Sequence, residues 1–183
     1  MLNDYQFADI DGQPYVLITL TRGKVAVIDA ADLEIISPYR WSARKDRNTW
    51  HAMSSKSVQM HVLILNPPPG MVTDHRDGDG LNNRRSNLRP ATLSQNHQNR
   101  IHIGNGRPKS SKYRGVFWFK ASRKWGACIM LNQHNHHLGL FTNEEEAALA
   151  YDEAARKLFG EFARPNFVTG MVPSGRGWVP VSS

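Results

Sequence analysis

Asp74 and His75 stand side by side, followed by a Gly-rich loop and by carboxamides at Asn87 and Asn96. These are the groups that cleavage of a phosphodiester asks for. A neutral imidazole can take the proton from an attacking water. A bound divalent cation can neutralise charge at phosphorus and on the departing oxygen. Asp74 offers a hard oxygen ligand, His75 a base, and Asn87 and Asn96 carboxamide oxygens. Such donors suit Mg2+ or Mn2+, one ion per site, which retain waters and accept phosphate as a ligand. With Cys128 the only cysteine, a disulfide framework and a multi-cysteine zinc site are excluded, and any metal must be held by Asp, His or Asn.

Neighbouring strand residues point to opposite faces, so Asp74 and His75 serve one site only if the strand ends there. "GMVTDH" reads as that strand, "RDGDGLNN" as the loop, and "TLSQNHQNR" as a helix start in which Thr92 and Gln95 have capping-box spacing. Asp77 and Asp79 shape the loop. Before it, "VQMHVLIL" is a short helix or a buried strand, stopped by Asn66 and three prolines. Earlier still, "YVLITLT" and "GKVAVID" read as strands, Asp29 as the N-cap of a short helix, and Asp46 to Asn48 as the turn of a hairpin.

Charge names the partner. The 183 residues carry a formal charge of +7, and between Gly80 and Asn143 there are eleven Lys and Arg with no Asp or Glu. A solvated neutral surface would mix the signs, so this stretch reads as a phosphate-facing surface and a nucleic acid as the partner, which the resemblances given below imply to be double-stranded DNA. Arg84, Arg85 and Arg89 belong to it. A content of 40% apolar residues argues for packed cores rather than disorder. No signal peptide is visible, and no run approaches the roughly 18 apolar residues of a membrane span. An intracellular, soluble protein without membrane contact is expected.

The central stretch resembles the HNH endonucleases of the homing type, through "DH" at 74–75, "DGDGLNN" at 77–83, "SNLR" at 86–89 and "SQN" at 94–96. The resemblance implies a ββα-metal finger. His75 would be the general base, Asp74 and Asn96 the metal ligands, and Asn87 the residue that orients the His and ties the loop. Many relatives carry His at the last ligand position, which leaves His97 as the alternative to Asn96. His61 resembles the His of the family's "HR" segment without its Arg, and packing or a phosphate contact is its expected role. The implied reaction is metal-dependent hydrolysis giving 5′-phosphate and 3′-hydroxyl ends, in the setting of a phage or mobile element. One site per chain implies nicking by a monomer with no protein partner, a dimer being needed for both strands.

Residues 112–167 resemble the plant APETALA-type, or ethylene-response-factor, DNA-binding domain through "YRGV", "KW", "LGLF" and "EEAALAYDEAA". The resemblance implies three antiparallel strands packed on one helix. The helix reads clearly: Thr142 and Glu145 have capping-box spacing, Ala147, Tyr151, Ala154, Ala155 and Leu158 make an apolar face, and Gly160 closes it. The uncovered sheet face could enter the major groove, with Arg114, Trp118, Lys120, Arg123 and Trp125 as contacts. Trp118 or Trp125 could equally be core.

The expectation is therefore an α+β protein. Residues 1–57 form a small β-rich unit, 58–102 the nuclease finger, 103–111 a basic linker, 112–167 the DNA-binding domain and 168–183 an irregular tail. The rival readings are a DNA-binding regulator that keeps the finger as scaffold, and a nuclease of structured RNA.

Overall fold

Alternation of buried and open positions builds the first sheet. In the computed structural model, which describes residues 3–10, 12–46, 49–99, 110–167, 171–174 and 177–180, strands β1 (Tyr5–Ile10), β2 (Gln13–Thr19) and β3 (Val25–Asp29) form an antiparallel meander in that order. Val16 pairs with Ile28 and Ile18 with Ala26, and all four are fully buried. β1 lies in a stretch that carries little strand signal, because Asp9 and Asp11 interrupt its apolar residues.

Asp29 does not cap the helix that follows. Its carboxylate accepts the Arg85 backbone N–H at 2.7 Å, and α1 (Leu33–Ile36) begins after a 3-10 turn without a side-chain cap. Strands β4 (Trp41–Asp46) and β5 (Thr49–Ser54) pair as a hairpin whose turn, residues 47–48, lies outside the described residues. Trp41 is buried with its indole N–H donated to Ile36 O at 2.8 Å.

The segment left open between helix and strand is a helix, α2 (Met60–Leu65), which buries Met60, His61 and Ile64 and ends on Asn66 in the left-handed region. β6 (Val72–His75) pairs antiparallel with β7 (Leu88–Ala91), and α3 (Leu93–Asn99) follows. Thr92 and Gln95 exchange both capping-box hydrogen bonds, at 2.8 and 3.2 Å. α2 packs on β5, β6 and β7, and α3 on β6 and β7. Val16, Ile28, Trp41, Met60, Ile64 and Leu88 share one hydrophobic core, so the β-rich start and the β6–α3 segment fold together within one compact unit, residues 1–101.

The second unit, residues 102–183, has its own core. β8 (Val116–Phe119), β9 (Lys124–Leu131) and β10 (His134–Phe141) form an antiparallel sheet with β9 in the centre. Against it packs α4 (Glu144–Phe159), through Tyr151 and Ala155 on Ile129. The α4 cap is one residue later than its spacing suggests. Asn143 accepts the Glu146 N–H at 2.7 Å, while Thr142 donates to the Glu146 carboxylate. Leu158, expected on the buried face, is 43% exposed; Asp152 is fully buried instead. Its carboxylate accepts from Asn166 N and Nδ2 and from Phe167 N at 2.6–2.9 Å, which fastens the chain leaving α4. Gly115, at φ +75°, lets the backbone pass Tyr151, whose ring a Cβ there would strike. The tail is not wholly irregular: β11 (Met171–Ser174) pairs with β12 (Gly177–Pro180). The expected linker lies almost entirely outside the described residues. No helix among the described residues is long and apolar enough to cross a membrane.

Candidate active site

The loop between β6 and β7 is built on its own side chains. Asp77 Oδ1 accepts Asp79 N at 2.8 Å and Asn87 Nδ2 at 2.9 Å, and its Oδ2 accepts Asn82 Nδ2 at 2.8 Å. Asn87 also donates to Asn82 O and accepts Asp77 N. All the contacts shown for the Asn87 carboxamide therefore tie the loop; none is with His75. The loop then docks on the first sheet. Val27 N donates to Leu81 O at 2.9 Å and Asn83 N to Val27 O at 2.7 Å.

That docking delivers Asn83 to His75. Asn83 is fully buried; its Nδ2 donates to Leu81 O at 3.0 Å, and its Oδ1 lies 3.4 Å from His75 Nε2. An amide whose nitrogen is engaged offers its oxygen as acceptor, so Nε2 of His75 carries the proton and the lone pair of the neutral ring is on Nδ1. The carboxamide that meets His75 is thus Asn83, whereas the contacts of Asn87, expected to orient the ring and tie the loop, are with the loop. In sequence Asn83 is one half of an Asn-Asn pair that looks like turn chemistry. Burial lowers the pKa of His75 below the ordinary 6.5, against an upward pull from the Asn83 hydrogen bond. An imidazole held neutral can accept a proton.

Asp74 points the other way. Its Oδ2 accepts Arg89 Nε at 2.8 Å, and Asn99 Nδ2 sits 3.0 Å from both carboxylate oxygens while donating to His75 O at 2.7 Å. Asp74 and Arg89 are 3% and 4% exposed. Arg89, expected on the DNA, is thus a buried counter-charge and is removed from the surface. Asn99, the buried end of α3, is a second residue the motif did not single out. Asn96 is half-buried on α3 and His97 exposed.

Two further imidazoles approach His75. His61 of α2 lies edge-on to it with ring centroids 4.8 Å apart, and His51 of β5 is 5.8 Å away. Burial drives the His61 pKa down to about 3 and lowers that of His51. At 6% exposure His61 cannot reach a DNA phosphate, which leaves the packing half of its expected role.

Arg84 donates Nε to Asn82 Oδ1 at 3.3 Å, and Arg85 forks onto Asp32 at 2.6–3.1 Å with half its side chain exposed. Arg22 and Lys24 lie over the Trp50 ring at 5.5 and 5.3 Å from its centroid, a cationic patch the motif does not include.

In the second unit, Lys120 and Arg123 are exposed on the β8–β9 turn. Trp118 and Trp125 are cross-strand partners, 5.0 Å apart. They share the face of Ala127 and Ile129, which is the face α4 covers, and Trp118 emerges at its end with 37% exposure. Arg114 hydrogen-bonds Tyr151 on that same side. The uncovered face instead carries Phe117, Phe119, Lys124, Met130 and His137, as the pairings Phe117–Gly126, Phe119–Lys124 and His137–Cys128 require.

Comparison with known proteins adds four findings. Residues 66–98 match the HNH endonuclease family. Over 171 residues, 90% of this chain, the sequence is 32% identical to an uncharacterized HNH endonuclease of Acanthamoeba polyphaga mimivirus, of which 87% is covered. Protein 3.8 of Escherichia phage T7 is 27% identical over 66% of this chain and 98% of its own length. A shorter match, 42% identical over 35% of this chain, is to an AP2-like ethylene-responsive transcription factor of Arabidopsis thaliana, of which it spans 13%.

Proposed function

The chain belongs to the HNH endonuclease family and is a DNA nuclease, and from that premise we propose that β6, the loop, β7 and α3 form its ββα-metal finger, with His75 as general base. The hydrogen bond from His75 Nε2 to Asn83 carries the reading. It leaves Nδ1 as the nitrogen that takes a proton from water, in a ring that burial keeps neutral.

Asp74 and Asn96 would hold the divalent ion, Mg2+ or Mn2+. The donor set fits: both offer hard oxygens, and of the roughly four lone-pair positions of a carboxylate, Arg89 and Asn99 leave one on Oδ1. The bound ion would stabilise charge at the phosphate and the leaving oxygen. Arg89 and Asn99 hold the Asp74 carboxylate in place, Asn83 fixes the tautomer of His75, and Asn87 holds the loop closed.

The second unit is proposed as the module that positions the nuclease on duplex DNA, supported by the short AP2-type match and by the open sheet face. Phe117, Phe119 and Lys124 on that face, with Lys120 and Arg123 on the turn, are the proposed contacts. Trp118, Trp125 and Arg114 are on the helix side and buttress the sheet. One finger per chain gives nicking by a monomer, with 5′-phosphate and 3′-hydroxyl ends.

The test is conversion of supercoiled plasmid carrying the source locus. Open circles are expected with Mg2+ or Mn2+ and none with EDTA. DNA binding without conversion in any metal would favour a regulator that keeps the finger as scaffold. The pH profile tests the base. Asn83→Asp puts a carboxylate on Nε2 and stabilises the imidazolium, so the acid limb of kcat/KM, which lies below pH 6.5 in the wild type, should rise by about one pH unit or more. An unmoved limb would detach Asn83 from the base.

A further inference from the structure

His51, His61 and His75 come from three different elements and meet at one point. The His51 and His61 ring centroids are 5.3 Å apart, and each of these rings stands within 5.8 Å of His75. One nitrogen from each of the three rings lies within 4.8 Å of the others. A purely apolar packing role would not ask for three imidazoles, and the packing leaves them short of partners: Nδ1 of His51 and Nδ1 of His61 are buried without a hydrogen bond. The scaffold around the trio is closely packed. Gly80 closes the loop directly over His51, where a Cβ would come within 2.4 Å of the ring, and α2 presses His61 onto β5 and β6.

From this convergence we propose that His51, His61 and His75 form a binding site for Zn2+. Three neutral imidazole nitrogens are a common zinc donor set, completed by water in the fourth position at Zn–N distances of about 2.0–2.1 Å. Mg2+ and Mn2+ prefer oxygen ligands and are served by Asp74 and Asn96 instead. The site has a consequence for catalysis that rests on the function proposed above. With Nε2 donated to Asn83, the neutral His75 ring has one lone pair, on Nδ1. A zinc ion and the proton of the attacking water therefore compete for it. Zn2+ at the trio switches off the base, while Mg2+ or Mn2+ supports cutting.

The test uses the full chain, stripped with EDTA and dialysed, with Zn2+ partitioned between protein and a chromophoric chelator. Zn2+ binding is expected to weaken about tenfold or more in His51→Gln and in His61→Asn. Thermal unfolding should rise with Zn2+ in the wild type and much less in His51→Gln. Because His61 is buried, circular dichroism establishes that its variant is folded, and the half-exposed His51 supplies the second variant. His134 and His136 on β10 are exposed and could bind zinc adventitiously, but equally in all three proteins. Unchanged affinity and stoichiometry in both variants would overturn the proposal. The two readings fail separately. If His75→Ala still cuts while zinc binding depends on His51 and His61, the base assignment falls and the zinc site stands. The opposite pattern removes the zinc site and leaves the base.

Discussion

His75→Ala is expected to lower the single-turnover rate of plasmid cleavage by about 10²- to 10⁴-fold, the usual contribution of a positioned acid–base group. DNA affinity should change little. The ring is 7% exposed, boxed between His61 and His51 and hydrogen-bonded to Asn83, so it has no surface with which to hold a nucleic acid backbone. Cleavage kinetics and gel-shift titration on the same substrate give both numbers. A variant that cuts within a few-fold of wild type would move the base elsewhere. A variant that loses binding in proportion to rate would make His75 a structural residue.

Arg89→Met should cost about 3–5 kcal/mol of stability, the penalty for leaving a buried carboxylate without its counter-charge. The Arg89–Asp74 pair is 2.8 Å long with both side chains about 5% exposed or less, so water cannot screen the orphaned charge. Denaturant unfolding measures the loss. The same variant decides between two roles for Arg89. A phosphate contact would reduce the salt slope of DNA binding by about one; a buried counter-charge leaves the slope of the folded protein unchanged. Asp74→Asn in the Arg89→Met background should recover part of the stability, because no charge is then left buried.

Much of the proposed site could be read from sequence because its residues are close together along the chain. Asp74, His75, Asn87 and Asn96 occur in order along one stretch, and the strand before and the capped helix after them announce themselves by alternation and by Thr92 with Gln95. β7 was not, because Leu88–Ala91 is four residues long and contains Pro90, which argues against a strand; Pro90 is tolerated because it is exposed. What orients His75 was hidden for a different reason. Asn83 acts through its docking on Val27, a contact between distant parts of the chain, and His51 and His61 join the site by tertiary packing alone. In the second unit the three strands and the helix could be placed from the sequence. Their faces could not, since which residues α4 covers depends on strand register, and register puts Trp118 and Trp125 with Ile129 rather than opposite it.

The pairing of Leu81 and Asn83 with Val27 has one more effect. β3 is the last strand of its meander, and an unoccupied outer edge invites other chains to add on. The loop that brings Asn83 to His75 also occupies hydrogen-bonding groups on that edge. The placing of Asn83 and the cover on the edge thereby rest on the same two backbone hydrogen bonds. A lesion that loosens the loop should show itself twice, as slower cutting and as a protein that self-associates on storage.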